Sequence, residues 1–133
     1  MPIPQWAIDY VGVPFVEHGR DAGGCDCWGL VRLVYREVFG RVLPGYYGAY
    51  SDSHDGASIS ALINREARHW APVDKPRPGD VVVCRIEGRP WHVGVLLTEG
   101  VMLHTERGTD AVVERIDGLR WQRRIEGYYR YEQ

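Results

Sequence analysis

The sequence predicts an α+β fold in which N-terminal helices pack on an antiparallel sheet of five to six strands. Two observations lead to this prediction. Apolar residues recur at helical spacing before residue 74, and they alternate with polar residues after residue 80, where turn sequences separate the apolar runs. The chain has 133 residues, enough for one hydrophobic core, and we expect a single domain over residues 1–133.

The clearest helix prediction covers residues 27–39. Asp26 has the side chain of a typical N-cap, and Gly40 suits the position just after the last turn. One face of this segment is apolar, through Leu30, Val31, Val34, Tyr35 and Val38.

Weaker patterns flank this helix. Residues 4–11 predict a short helix, and residues 12–24 predict a glycine-rich loop. Residues 41–56, which carry Pro, Gly, Tyr and Ser, predict a long connection, and residues 57–69 predict a second helix.

The second half of the chain predicts strands joined by short turns. Turn sequences stand at residues 87–88, 99–100 and 117–118. The predicted strands cover residues 81–85, 91–97, 101–106, 111–115 and 125–131.

The register of one predicted hairpin decides whether two histidines can meet. If Leu97 faces Val101, His92 lies opposite Glu106 and diagonal to His104, all on one face. A two-residue turn at positions 99 and 100 would instead place the two histidines on opposite faces. The residues alone leave both arrangements open.

Composition excludes several classes of function. The net charge of −2 gives no support for binding nucleic acid or anionic membranes. No apolar run is long enough to span a membrane, and the first residues lack the pattern of a signal peptide. Three cysteines are too few for a disulfide framework, which favours a reducing compartment. We expect no cofactor.

Cys27 would open the predicted helix and is a candidate nucleophile. Unpaired N–H groups and the positive end of the helix dipole would lower the pKa of its thiol, and the same groups can hold an oxyanion. The alternative is a buried packing cysteine. A thiolate nucleophile needs a histidine base, for which His92 is the candidate, and a third group must orient that base. His104 can do so, with Glu106 as its rival.

Four short motifs occur in order along nearly the whole chain. They are Gly12-Val13-Pro14-Phe15, Asp26-Cys27-Trp28-Gly29-Leu30-Val31, Pro78-Gly79-Asp80-Val81-Val82 and His92-Val93-Gly94-Val95. They resemble the motifs of the NlpC-type cysteine peptidases, compact papain-like enzymes that cut peptidoglycan stem peptides. The last motif is followed by His104 at that family's spacing.

The resemblance implies a minimal papain-like fold with the nucleophile at a helix N-terminus. It implies Cys27 as nucleophile, His92 as general base and acid, and His104 as the orienting residue. The bond implied is the D-glutamyl–diamino acid linkage. Phe15 stands where many relatives have tyrosine.

The resemblance also marks out a region for substrate binding, formed by Asp26, Trp28 and Phe15. Trp28 replaces the serine that follows the cysteine in many relatives, so the substrate subsite is expected to differ from the usual one.

The short form of the chain is similar to the phage and prophage branch associated with tail assembly. This similarity implies synthesis in the bacterial cytoplasm without a signal peptide, action at the cell wall, peptidoglycan as substrate and phage tail proteins as partners.

Two other interpretations remain open on the sequence. One is a catalytically silent tail-assembly protein. The other is a zinc site formed by Cys25, Cys27, His92 and His104, whose residue types suit the metal but whose spacing does not. Otherwise Cys25 and Cys84 are interpreted as packing residues.

Overall fold

One α-helix packs against a face of a six-stranded antiparallel sheet, which confirms the predicted α+β class. The structure is a computed structural model, and it describes residues 3–44, 61, 65, 66, 69–86 and 88–131. Most of the predicted helix over residues 57–69 and most of the predicted connection over residues 41–56 lie outside the described residues. Among the described helices, none is both long and apolar enough to cross a membrane.

Helix α1 (Cys27–Val38) begins and ends where local signals predict. The Asp26 carboxylate accepts a hydrogen bond from the N–H of Gly29 at 2.8 Å, as an N-cap does. Gly40 has a φ of +67°, the left-handed conformation that glycine adopts readily after a helix end. The short helix predicted over residues 4–11 is present as a 3-10 helix, Gln5–Tyr10.

The main sheet contains the five predicted strands and one that was not predicted. The strands are β3 (Trp70–Pro72), β4 (Val81–Ile86), β5 (Arg89–Thr98), β6 (Val101–Glu106), β7 (Thr109–Arg115) and β8 (Ile125–Tyr131). Their order in the sheet is β3-β8-β4-β5-β6-β7, and every neighbouring pair is antiparallel.

A separate two-stranded hairpin interrupts the predicted loop over residues 12–24. It consists of β1 (Arg20–Asp21) and β2 (Gly24–Cys25). Strands of two residues are too short to show a period in the sequence, so the loop prediction is wrong at this point. The hairpin lies beside the start of α1, where a Cβ on Gly29 would come within 2.0 Å of the carbonyl oxygen of Gly19.

The two faces of the main sheet carry separate hydrophobic clusters. The larger cluster lies between the sheet and α1. The smaller one lies on the other face, where residues 116–124 fold over the sheet and bury Trp121. Its fully buried members are Val82, Cys84, Leu96, Met102, Ile116 and Trp121.

The β5–β6 hairpin combines features of both predicted registers. Thr98 pairs with Val101 across a two-residue turn, but an irregularity between Leu96 and Thr98 shifts the register by one residue. Beyond this bulge Leu96 pairs with Met102, which is the register expected for a three-residue turn. The bulge therefore places His92 and His104 on the same face.

The segment after the 3-10 helix runs along the outer strand β7. The N–H of Gly12 donates to the carbonyl of Ala111 at 2.8 Å, and the N–H of Ala111 donates to the carbonyl of Val13 at 2.9 Å. The N–H of Phe15 then donates to the Asp110 carboxylate at 3.4 Å. These bonds fix the direction in which the chain reaches Phe15.

Candidate active site

Cys27 is the first residue of α1, and its sulfur lies against strand β5. The backbone N–H groups of Val93 and Trp28 act to lower the pKa of this thiol. Because Val93 directly follows His92 in β5, the N-terminus of α1 and the strand that carries His92 meet at the Cys27 thiol.

Cys27 and His92 line one cavity of about 140 Å³. Phe15, the third predicted site residue in its wall, reaches it from the segment held on β7. The described residues that line the cavity are Phe15, Cys27, Ile86, Trp91, His92, Thr105, Glu106 and Arg107.

His104 lies behind His92 and contacts one of its ring nitrogens. The distance from His92 Nε2 to His104 Nδ1 is 2.8 Å, and both rings are buried. Glu106, the rival for this place, instead pairs with Arg120. The other ring nitrogen of His104, Nε2, lies 2.7 Å from Glu114 Oε1.

Gly94, the third residue of the His-Val-Gly-Val motif, leaves room for this pair. A Cβ at Gly94 would lie 3.1 Å from the Cβ of His104 and 3.0 Å from the carbonyl oxygen of Leu103. Both contacts are tighter than those of ordinary packing, so a larger residue here would require Leu103 or His104 to shift by a few tenths of an ångström.

No sequence pattern predicted that Glu114, Arg120 and Trp121 belong to the site. Trp121 stacks on the His92 ring, with centroids 5.4 Å apart and planes at 14°. The Arg120 guanidinium lies 4.6 Å above the indole and pairs with Glu114. The sequence offered one sign of the role of Trp121. It is a tryptophan in the polar segment of residues 117–124, and a large apolar residue among charged ones is a candidate for burial.

The surroundings of the Cys27 thiol and the His92 imidazole favour the neutral form of each group. Burial raises the pKa of Cys27 to about 12, and the charge of Asp26 adds to this rise, which the N–H groups of Val93 and Trp28 only partly oppose. The prediction of a lowered pKa is therefore wrong, because desolvation outweighs the helix terminus. Burial, together with the charges of His104 and Arg120, holds the pKa of His92 well below its usual value.

These ionisation states predict how Cys27 reacts with an alkylating agent. Cys27 should react first, because its side chain is partly exposed whereas Cys25 and Cys84 are buried. With a pKa near 12, its thiolate fraction, and hence the labelling rate, should rise about tenfold per pH unit between pH 7 and 10. Brief iodoacetamide treatment followed by peptide mapping measures both quantities. A rate that levels off below pH 8, or equal labelling of the three thiols, would contradict this expectation.

Asp26, a predicted substrate-binding residue, makes contacts within the protein. Its carboxylate is 1% exposed and pairs with Arg20 at 2.8 Å. It also accepts hydrogen bonds from the N–H groups of His18, at 3.2 Å, and Gly29. The side chain thus joins the small hairpin to the start of α1, and direct contact with substrate stays a prediction.

Trp28, the other predicted binding residue on α1, is also held within the protein. Its Nε1 donates to the carbonyl of Pro44 at 2.8 Å, and its ring meets Trp70 edge-on. Neither Asp26 nor Trp28 is among the described residues that line the cavity. Contact between Trp28 and substrate stays a prediction.

The zinc interpretation has no support in the arrangement of side chains. Across residues 3–44, 69–86 and 88–131, no three His, Cys, Asp or Glu side chains are grouped so that they could hold a metal ion. Cys25 is buried in the core between α1 and the sheet, and Cys84 belongs to the cluster on the other face.

The curated proteins that this chain is similar to include a murein endopeptidase and a phage tail tip assembly protein. The chain is 26% identical over 116 residues to the murein DD-endopeptidase MepS/murein LD-carboxypeptidase of Escherichia coli K12, covering 87% of this chain and 54% of that protein. It is 29% identical over 126 residues to tail tip assembly protein K of Escherichia phage N15, covering 90% and 50%. The chain spans about half the length, or less, of the curated relatives it matches.

The fold is also shared with solved structures. The crystal structure of the NlpC/p60 domain of peptidoglycan hydrolase SagA superposes with a TM-score of 0.59 and 27% identity, and the match covers 84% of each chain. The NlpC/P60 family matches this chain over residues 12–130. This range contains all four motifs, His92 and His104. The chain therefore belongs to the NlpC/P60 family.

Proposed function

We propose that this chain is a cysteine peptidase that hydrolyses an amide bond in the stem peptide of peptidoglycan. Cys27 is the nucleophile, His92 is the general base and acid, and His104 orients His92. The observation that carries the proposal is the shared cavity of Cys27 and His92, with the far nitrogen of His92 held by His104.

The reaction begins from a neutral thiol and a neutral imidazole. His92 takes the Cys27 proton as the sulfur attacks the carbonyl carbon, and N–H groups at the start of α1 stabilise the oxyanion. The tetrahedral intermediate then expels the amine, which receives the proton from His92. Water, activated by His92, cleaves the resulting thioester and regenerates the thiol.

The substrate class rests on the family and its named members. The name of MepS assigns it murein DD-endopeptidase and LD-carboxypeptidase activity, and SagA is named a peptidoglycan hydrolase. We propose the D-glutamyl–diamino acid linkage as the bond cleaved, in keeping with the NlpC-type motifs. Residues 1–133 would form one domain that acts at the cell wall.

An association with phage tails is part of the same proposal. Its support is the similarity to tail tip assembly protein K, which covers 90% of this chain. In that setting the peptidase would open the stem-peptide cross-links that a tail has to pass.

Digestion of purified peptidoglycan tests this function. Wild-type protein should release stem-peptide fragments that mass spectrometry identifies by their new termini. Cys27→Ala should release none, because no other group can form the thioester. Cys25→Ala removes a buried thiol that does not line the cavity, and it serves as the matched control, with circular dichroism to verify folding. If folded wild-type protein releases nothing, the silent tail-assembly alternative is favoured.

A further inference from the structure

We propose that Glu114 fixes the tautomers of both histidines and thereby leaves Nδ1 of His92 as the proton acceptor for Cys27. Glu114 does not line the cavity, and of the two histidines it contacts His104 alone, on the side away from His92. It is a positioning residue in a relay of three side chains. Its effect on turnover rests on the proposed function, whereas its effect on the tautomers does not.

The first step is that Glu114 can only accept a hydrogen bond. Arg120, which has donors and no acceptors, lies 3.1 Å from Glu114 Oε1 and 3.3 Å from Oε2. Burial acts to raise the pKa of Glu114, but the neighbouring Trp121, His104 and Arg120 together lower it. A carboxylate held in its charged form makes His104 Nε2, at 2.7 Å, the donor.

The second step fixes the contact between the rings. The His104 ring is 1% exposed, and burial lowers its pKa, which favours the neutral ring with a single proton. If that proton is on Nε2, then His104 Nδ1 has a lone pair and must accept. His92 Nε2, 2.8 Å away, is therefore the donor.

The third step places the reactive lone pair. A neutral His92 with its proton on Nε2 has an unprotonated Nδ1, the one ring nitrogen not engaged with His104. The reversed chain of bonds would put a proton on Nδ1, and the ring could not then take a proton from Cys27. One carboxylate, two side chains away from the thiol, thus selects the reactive form of the base.

The Arg120 and Trp121 side chains keep this relay in place. Trp121 stacks on His92 and meets His104 edge-on at 5.5 Å, so both rings rest on one indole. Arg120 covers the other side of the site by bridging Glu114 and Glu106. Rotation of either imidazole would break a ring contact as well as a hydrogen bond.

The nitrogen-15 NMR shifts of the imidazoles in the wild-type protein, without substrate, test the tautomers directly. We expect neutral rings at pH 7, with the proton on Nε2 in both His92 and His104. A proton on Nδ1 of either ring overturns the inference, whatever the protein does to peptidoglycan. If the tautomers are as expected but no substrate is cleaved, the proposed function fails and the assignment of the relay stands.

Variants of Glu114 test whether this residue is the cause. Glu114→Met removes the hydrogen-bond acceptor at similar side-chain volume. A second set of imidazole shifts, from the other tautomers of the two histidines, should then appear. The kcat should fall about 10- to 100-fold, with KM within about twofold of the wild-type value. Glu114→Gln keeps an oxygen that can accept, and it should retain more activity than Glu114→Met.

Glu126→Met is the matched control, because it removes an exposed glutamate whose ion-pair partner is Arg85 rather than a residue of the relay. Its shifts and kcat should equal those of the wild type. Unchanged tautomers in Glu114→Met would overturn the inference. If that variant does not fold, the tautomers in the wild-type spectrum alone test the inference.

Discussion

Replacing His92 by alanine is expected to lower turnover of stem peptides by about 10⁴-fold or more. Because burial raises the pKa of Cys27 to about 12, nearly all of the thiol is un-ionised at pH 7 without a base to take its proton. The variant also loses the acid that protonates the leaving amine. Initial rates on purified peptidoglycan, with circular dichroism of the same preparations, measure the effect.

Two further variants serve as controls for this expectation. The double variant Cys27→Ala/His92→Ala should be no less active than Cys27→Ala alone, because members of one catalytic unit do not add. His104→Ala should lose less activity than His92→Ala, since nucleophile and base both remain. Full turnover in His92→Ala, with unfolding of His104→Ala, would mean that the histidines are structural.

Trp121→Ala is expected to have the largest effect on stability, lowering the free energy of unfolding by about 3–5 kcal/mol. The side chain is 1% exposed, it fills the cluster on the face away from α1, and it supports both histidine rings. Urea unfolding followed by circular dichroism measures the change.

Leu119→Ala, in the same segment, is the matched control because Leu119 is 93% exposed. It should change the free energy of unfolding by less than about 0.5 kcal/mol. Equal effects of the two substitutions would show that Trp121 does not anchor residues 116–124 on the sheet.

The parts of the fold that sequence predicted are those set by local chemistry. Asp26 and Gly40 mark the ends of α1 because a cap and a left-handed residue satisfy backbone groups within a few positions. The longer strands show their period of two in the same way. The turn residues leave the β5–β6 register open, and the bulge between Leu96 and Thr98 decides it.

In the candidate site, too, residues within local motifs could be predicted, and residues brought in from distant parts of the chain could not. Motifs led to Cys27, His92 and His104, whereas Glu114 and Trp121 were missed because folding alone brings them to the histidines. Glu114 arrives through the pairing of β7 with β6, and Trp121 through the return of residues 116–124 over the sheet. The pKa of Cys27 was predicted in the wrong direction, since burial cannot be read from a helix start.

The strip of chain over residues 12–15 also bears on how separate molecules behave towards one another. An outer strand carries N–H and C=O groups that can pair with another chain and start aggregation. On β7, Gly12 and Val13 occupy such groups at Ala111, and the same strip carries Phe15 to the cavity. A substitution that detaches residues 12–15 from β7 would expose the edge of the sheet to pairing with another molecule. It would also remove Phe15 from the wall of the cavity. Self-association and altered substrate binding would therefore arise together.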